Sequence, residues 1–306
     1  MVKLRKRLRQ AQTDSRTYIF VLSVFLLTIM ACTSNSKADM DIQGHRGCRG
    51  LFPENSLPAF EKAIDLGVTT LELDIAITKD KKVVVSHEPY MNNTICLDPE
   101  GKLIPDSMHK AYNLYEMTYE DIKQFDCGSK FHPRFPSQEK VEVYKPLLDE
   151  VFELTKAKNS DARFNIEIKS KPEYYGVYTP EPEEYVSIVL SVIKANDMWE
   201  RANLQSFDLN ILEIIKQQAP DMPVALLIDD NETVDGKLGE LSYKPEIISP
   251  YFKLLNHTKV TDLQSQDYQV IPWTINDTTD MRQMIDWKVD GIITDYPDRL
   301  IQLLSE

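Results

Sequence analysis

Leu71-Glu72-Leu73-Asp74-Ile75-Ala76-Ile77-Thr78-Lys79-Asp80-Lys81-Lys82-Val83-Val84-Val85-Ser86-His87 contains two apolar-rich runs separated by five polar residues. Five residues are too few for a parallel crossover, so Leu71 to Ile77 and Val83 to Ser86 form a hairpin. A two-residue turn at Lys79-Asp80 sets Glu72 across from His87, and a turn centred one residue later sets Asp74 across from it. In either register Glu72 and Asp74 share a face, because side chains alternate along a strand, and His87 returns onto that face. Two carboxylates so placed repel each other unless a cation lies between them. An oxygen-only ligand set favours Ca²⁺ or Mg²⁺ over zinc, and Glu167, in Asn165-Ile166-Glu167-Ile168-Lys169, can supply a third carboxylate.

Working outward, strand-like runs fall near Asp41 to His45, Thr70 to Ile75, Arg163 to Lys169, Ala202 to Ser206, Pro223 to Ile228, Glu246 to Ser249, Gln269 to Thr274 and Gly291 to Thr294. Val83 to Ser86 is the returning arm of the hairpin and not a ninth barrel strand. Helical periodicity lies between the runs, for example over Ser56 to Leu66, Leu147 to Lys158, Glu184 to Asn196, Leu209 to Gln218 and Thr279 to Trp287. Eight strand–helix units in this length predict an α/β fold, a closed (β/α)8 TIM barrel. The alternative, an open doubly wound sheet, lacks its expected Gly-rich phosphate loop after the first strand. In such barrels active groups gather at the carboxyl ends of strands. Gly44-His45-Arg46-Gly47, the Glu72–His87 hairpin and Glu167-Ile168-Lys169 all deliver polar residues there.

These segments, in order, resemble the glycerophosphodiester phosphodiesterases. The resemblance rests on His45-Arg46-Gly47, Glu54-Asn55-Ser56, Glu72-Leu73-Asp74, Thr78-Lys79-Asp80, Val84-Val85-Ser86-His87 and Ile166-Glu167-Ile168-Lys169. It continues through Gln205-Ser206-Phe207-Asp208, Trp273-Thr274-Ile275-Asn276 and Asp290 to Pro297, so it spans residues from about 41 to about 300. Ser56 in place of Thr, Lys81 in place of a turn Gly, Glu88 where an Asp often stands and Cys48 depart from the family pattern. The resemblance implies a phosphodiesterase barrel of the phospholipase C-like type that releases glycerol 3-phosphate and an alcohol.

On this reading His45 and His87 are the catalytic acid and base, and Glu72, Asp74 and Glu167 hold one divalent cation, Ca²⁺ or Mg²⁺. Arg46, whose planar fork matches phosphate oxygens, and Lys169 contact the phosphodiester, unless Arg46 merely pairs with a carboxylate. Trp273 lines the alcohol pocket. His109, His132 and His257 join no such group and are expected in solvent or loops. Cys48 is expected as a small buried filler rather than a nucleophile. Residues from about 88 to 144 form an insertion, rich in aromatics and prolines, that is expected to fold as a cap over the barrel mouth. Cys96 and Cys127 lie within it and could close a loop there.

Charge separates the chain's ends. Residues 1–31 carry six basic side chains against Asp14, a net +5, which leaves −18 on the remainder of a chain whose formal charge is −13. A body this acidic excludes nucleic acid as a partner and shuns anionic lipid, so an anionic substrate must be captured by local groups. The basic start and the apolar run from Thr17 to Ala31 resemble a bacterial lipoprotein signal peptide (1–31) with Cys32 as the lipidated residue. A tether over 32–40 and a catalytic domain over 41–306 complete the expected organisation. The implied location is the outer membrane, on its periplasmic or cell-surface face, with membrane contact through the anchor alone. Other expected readings are a lysophospholipase D, a phospholipase C-like enzyme acting on lipid head groups, or a lipoprotein that binds glycerophosphodiesters without cleaving them.

Overall fold

The computed structural model describes residues 40–306; the expected signal peptide (1–31), Cys32 and all of the expected tether 32–40 except Met40 lie outside the described residues. Nine strands form one sheet: β1 Asp41–Gly44, β2 Thr70–Ile77, β3 Val83–Val85, β4 Arg163–Ile168, β5 Ala202–Ser206, β6 Val224–Ile228, β7 Ile247–Pro250, β8 Gln269–Val270 and β9 Gly291–Thr294. The parallel order β8-β7-β6-β5-β4-β2-β1-β9 is that of a (β/α)8 barrel, and β3 pairs only with β2. Asp290 N donates to Val270 O at 3.0 Å and Ile293 N to Pro272 O at 3.1 Å, bridging the remaining seam between β8 and β9. β8 is shorter than expected because Pro272 has no N–H to extend a ladder.

Alternation along the strands sorts the side chains into two environments. Leu71, Leu73, Phe164, Ile166, Leu204, Leu226 and Ile292 point outward into the layer between barrel and helices. Inside, Ala225, Ile247, Ile271 and Ile293 pack together on the β6–β9 side. The β1–β5 side is polar. Asn165 donates to Gln43 Oε1 (2.8 Å) and Gln205 Oε1 (3.0 Å), and Gln205 donates to Glu72 Oε1 (2.8 Å). Asn203 donates to Asn165 Oδ1 (2.6 Å), and Gln43 donates to Asp41 Oδ2 (2.8 Å). Buried amides are tolerated here because each finds partners.

The helices occur where periodicity places them, as Leu57–Leu66, Leu148–Ala157, Pro182–Ala195, Leu209–Gln218 and Thr278–Asp286. Ser56, the departure from Thr, caps the first of them by accepting from Ala59 N, and Pro58 lies in its opening turn, where a missing N–H does no harm.

The hairpin adopts neither expected register. Ile75 pairs with Val85, Ala76 with Val84 and Ile77 with Val83, so the turn is centred on Asp80. Thr78 N donates to Lys82 O and Lys81 N to Thr78 O, closing a five-residue loop with Lys81 at φ 58°, a left-handed position that glycine fills with less strain. Ser86 N then bonds Asp74 O, and the chain leaves the ladder before His87.

The two faces of this hairpin do different jobs. Ile75, Ile77, Val83 and Val85 belong to the barrel core, whereas Ala76 and Val84 belong to a separate core with Met91, Ile104, Leu114, Ile122 and Phe125. The insertion therefore folds as a cap seated on the back of the hairpin. Cys96 and Cys127 pair in a disulfide within it. Among the described residues no helix is long and apolar enough to cross a membrane.

Candidate active site

A cavity of about 340 Å³ opens at the carboxyl end of the strands. Glu72 and Asp74 on β2 and Glu167 on β4 offer carboxylate oxygens all within 4.8 Å of one another, and all three residues are buried. The pairing of Asp74 with Glu167 across adjacent parallel strands creates this proximity. Burial, then Asp74 and Glu167, push the Glu72 carboxyl well above the usual range. Burial also opposes ionisation of Asp74, but Arg46, His87 and Lys169 overcome it and hold its carboxyl well below. Glu167 is raised by burial and by Asp74, against the pull of Lys169. Such mutual opposition is what a divalent cation relieves. Asp74 Oδ1 is buried with no hydrogen-bond partner, so the cluster fits a hard, oxygen-seeking ion.

The loop after β1 wraps this cluster. Gly44 and Gly47 allow its tight turn: a Cβ on Gly44 would lie 2.1 Å from Gly47 O, and Gly47 has φ +85° with Ala59 pressed behind it. Arg46, at φ 52°, donates its backbone N–H to Glu72 Oε2 (2.9 Å). Its guanidinium lies 2.7 Å from Glu54 and 3.2 Å from Asp74. The fork proposed from sequence for phosphate is thus engaged by carboxylates of the protein. Burial works against its charge, yet Glu54 and Asp74 raise its pKa above the ordinary value. Asn55, also left-handed at φ 55°, donates to Asp74 Oδ2 (2.8 Å). Lys169 Nζ lies 2.7 Å from Glu167 and 3.8 Å from Asp74, on the face its spacing predicts.

Each of the two expected histidines is half of a dyad. His45 Nδ1 contacts Asp295 Oδ1 at 2.6 Å, and His45 Nε2 points at Glu72 from 3.9 Å. Asp295 is fully buried and also takes Arg49 at 2.8 Å and 3.1 Å and Asn276 at 2.7 Å. Burial, assisted by Arg49, lowers His45 to about 4, so its imidazole is neutral at pH 7. His87 Nδ1 contacts Glu88 Oε1 at 2.8 Å, and burial and Arg46 lower its pKa too. Glu88, the departure from Asp, thus occupies an orienting position. A carboxylate on Nδ1 fixes the proton there and leaves Nε2 as the free nitrogen.

Trp273 lines the same cavity, with its Nε1 donating to Ser249 O (2.8 Å) and its ring 5.5 Å from Phe207 at 90°. His109 lies on the cap surface against Tyr90, and His257 begins the helix His257–Ser265. His132 lies in a loop, one of its two expected settings, but not in solvent. It is buried, stacks on Phe135 at 4.8 Å and accepts from Arg134 N at 3.2 Å, because the loop folds back onto the barrel. Cys48 is fully buried, its thiol donates to Ala59 O (3.2 Å), and burial pushes it up to about 12. Asp295, Arg49, Asn55 and Gln205 were not singled out from sequence. The signal for Asp295 and Gln205 was their place within motifs already recognised.

A larger cavity of about 560 Å³ lies at the opposite mouth, but its cations are spent on structure. Arg163 pairs with Asp41 and Arg201 bonds the carbonyls of Ser160 and Ala162.

A parallel barrel whose carboxyl mouth sets two imidazole–carboxylate dyads beside a carboxylate cluster that could hold a cation is equipped for acid–base chemistry on an anionic substrate. The chain belongs to the glycerophosphoryl diester phosphodiesterase family, whose model matches residues 45–299. It is 33% identical over 262 residues to a glycerophosphodiester phosphodiesterase of Caldanaerobacter subterraneus subsp. tengcongensis, covering 86% of this chain and 96% of the relative. The crystal structure of a putative glycerophosphoryl diester phosphodiesterase from Silicibacter pomeroyi superposes with a TM-score of 0.78 at 29% identity, covering 87% of this chain and 93% of that one. An Oleispira antarctica phosphodiesterase, solved in complex with its product sn-glycerol-3-phosphate, shares the fold with a TM-score of 0.68 at 20% identity, covering 87% and 97%.

Proposed function

We propose that this protein hydrolyses glycerophosphodiesters to glycerol 3-phosphate and an alcohol, with one Ca²⁺ or Mg²⁺ held by Glu72, Asp74 and Glu167. The observation that carries the reading is the buried Asp74 oxygen that finds no hydrogen-bond partner, within a three-carboxylate cluster flanked by both dyads. When bound, the cation supplies Lewis-acid polarisation of the phosphoryl oxygens. His45 and His87, each presenting Nε2, divide the proton work: one accepts the proton of the attacking hydroxyl as the other protonates the leaving oxygen. Asp295 and Glu88 keep both rings in the required tautomer. Lys169 and Arg46, each held by carboxylates, fix the positions of Glu167, Asp74 and Glu54 around the cluster, and Trp273 with Phe207 forms the apolar wall for the alcohol.

The cavity lining is mostly charged or polar, which favours a water-soluble deacylated diester over an acyl-bearing one. The deciding experiment incubates residues 40–306 with glycerophosphocholine and with lysophosphatidylcholine, with Ca²⁺ or Mg²⁺ and with chelator. Release of glycerol 3-phosphate from the first, abolished by chelator, is expected. No release under any metal condition refutes the hydrolase reading, and preferential cleavage of the second makes the protein a lysophospholipase D. Anchoring through a lipid on Cys32 in the outer membrane belongs to the same proposal. Palmitate labelling that persists in Cys32→Ser would refute it.

A further inference from the structure

Four cationic side chains line the catalytic cavity, and three are held by carboxylates. Arg46 lies against Glu54 and Asp74, Arg49 against Asp295 and Glu54, and Lys169 against Glu167 and Asp74. Arg134 differs: among the described residues its guanidinium has no carboxylate within 4.0 Å and no hydrogen bond. It is exposed, yet its backbone is fixed. His132 and Phe135, the buried residues on either side, stack on each other, and Phe135 also packs under the Arg49 guanidinium at 4.9 Å and beside Tyr296 at 6.2 Å. Gln138 ties the same turn to the carbonyls of Arg49 (2.7 Å) and Phe52 (3.0 Å). The Arg134 guanidinium itself rests over the Phe135 ring at 5.6 Å, and the anchored backbone adds no ordering cost of its own when that side chain binds.

Charge balance shows what it is free to bind. The inner groups comprise the carboxylates of Glu54, Glu72, Asp74, Glu88, Glu167 and Asp295 and the cations Arg46, Arg49, Lys145 and Lys169, a balance of −2 with all six carboxylates ionised, as a bound cation would require, and both histidines neutral. That balance matches one divalent ion and leaves no positive charge over for a phosphodiester. Asp229, the exposed acid lining the cavity, follows β6, which lies four strands from β1 around the barrel and so on the opposite wall.

Resting on the function proposed above, we infer that Arg134 is a substrate contact supplied by the cap, its guanidinium donating to a non-bridging oxygen of the scissile phosphodiester and so selecting for that anion whatever the alcohol. A charge-assisted bond of this kind contributes about tenfold or more in affinity. Arg134→Gln is therefore expected to raise KM about tenfold for glycerophosphocholine and glycerophosphoserine alike, with kcat within about threefold, and Arg134→Lys to recover part of the loss. Calorimetric titration of glycerol 3-phosphate into the metal-loaded protein should weaken by a similar factor, a readout that needs no turnover. Unchanged KM and unchanged glycerol 3-phosphate affinity in a variant that melts like wild type overturns the inference. A KM change confined to glycerophosphoserine also overturns it, by assigning Arg134 to the carboxylate of that alcohol. Wild-type protein that binds glycerol 3-phosphate but cleaves neither diester refutes the proposed function and leaves the Arg134 contact to be judged by the calorimetry.

Discussion

His45 and Asp295, 250 residues apart in the chain, meet at 2.6 Å through Nδ1 and Oδ1. Backbone bonds from His45 N to Thr294 O and from Gly50 N to Asp295 O draw the first and last barrel strands together at that point. Asp295→Asn removes the acceptor that fixes the proton on Nδ1. The variant should lose roughly 10² to 10⁴ in kcat while retaining metal affinity, since the amide can stabilise the wrong tautomer. Steady-state kinetics beside metal titration checks this, and near-native kcat would remove the dyad from the mechanism.

The depressed pKa of His45 has a definite sign in stability. Below its ordinary value near 6.5 the unfolded chain takes up a proton that the folded protein refuses until about pH 4, so stability falls as pH drops through that window. A shift of this size corresponds to roughly 3 kcal/mol. Urea unfolding between pH 7 and pH 4 should therefore show a steeper loss in wild type than in His45→Gln. Equal slopes would contradict the assignment. By the same logic the acid limb of kcat/KM should lie below pH 6.5.

Removing the metal should abolish turnover and leave the barrel folded, because the three carboxylates sit on strands that pack without it. Glu72→Gln should weaken Ca²⁺ or Mg²⁺ binding at least about tenfold and also raise, or leave unchanged, the melting temperature of the metal-free protein, since the amide cannot take on the charge that burial, Asp74 and Glu167 oppose. Calorimetric melting with and without chelator reads both effects. A marked drop in metal-free melting temperature would assign Glu72 a structural role instead.

The disulfide between Cys96 and Cys127 spans 31 residues of a cap with its own small core. Loop-closure entropy for that length corresponds to about 4 kcal/mol, and the effect should concentrate in the cap. Cys96→Ser with Cys127→Ser is expected to accelerate proteolytic nicking between residues 88 and 144. Nicking at the wild-type rate would show that packing alone holds the cap.

Strand and helix positions were legible because alternation and helical periodicity act locally, and Leu209–Gln218, Ala202–Ser206 and Gly291–Thr294 lie where those periods put them. The hairpin register was not, because it depended on Lys81 taking a left-handed turn position that its side chain gives no reason to expect. Glu72 and Asp74 could be grouped from spacing, since both lie on one strand, whereas Glu167, on another, joined them through the family resemblance. The partners of Arg46 could not: whether a guanidinium faces substrate or Glu54 is decided by how the loop after β1 folds over the cluster, which spacing does not encode. Arg134 could not be assigned to the site for a related reason, as it lies in irregular chain that only tertiary packing brings to the cavity.

The amides inside the barrel form a chain whose direction is dictated from its ends. Asp41 and Glu72, as carboxylates, only accept, so Gln43 and Gln205 must turn their nitrogens outward and their oxygens toward Asn165. Asn165 then spends both hydrogens, and its oxygen is left for Asn203. No member can flip by itself without setting two donors or two acceptors face to face. A proton placed on Oε1 of Glu72 would therefore set two donors face to face and oppose an orientation that is held in common as far as Asn203.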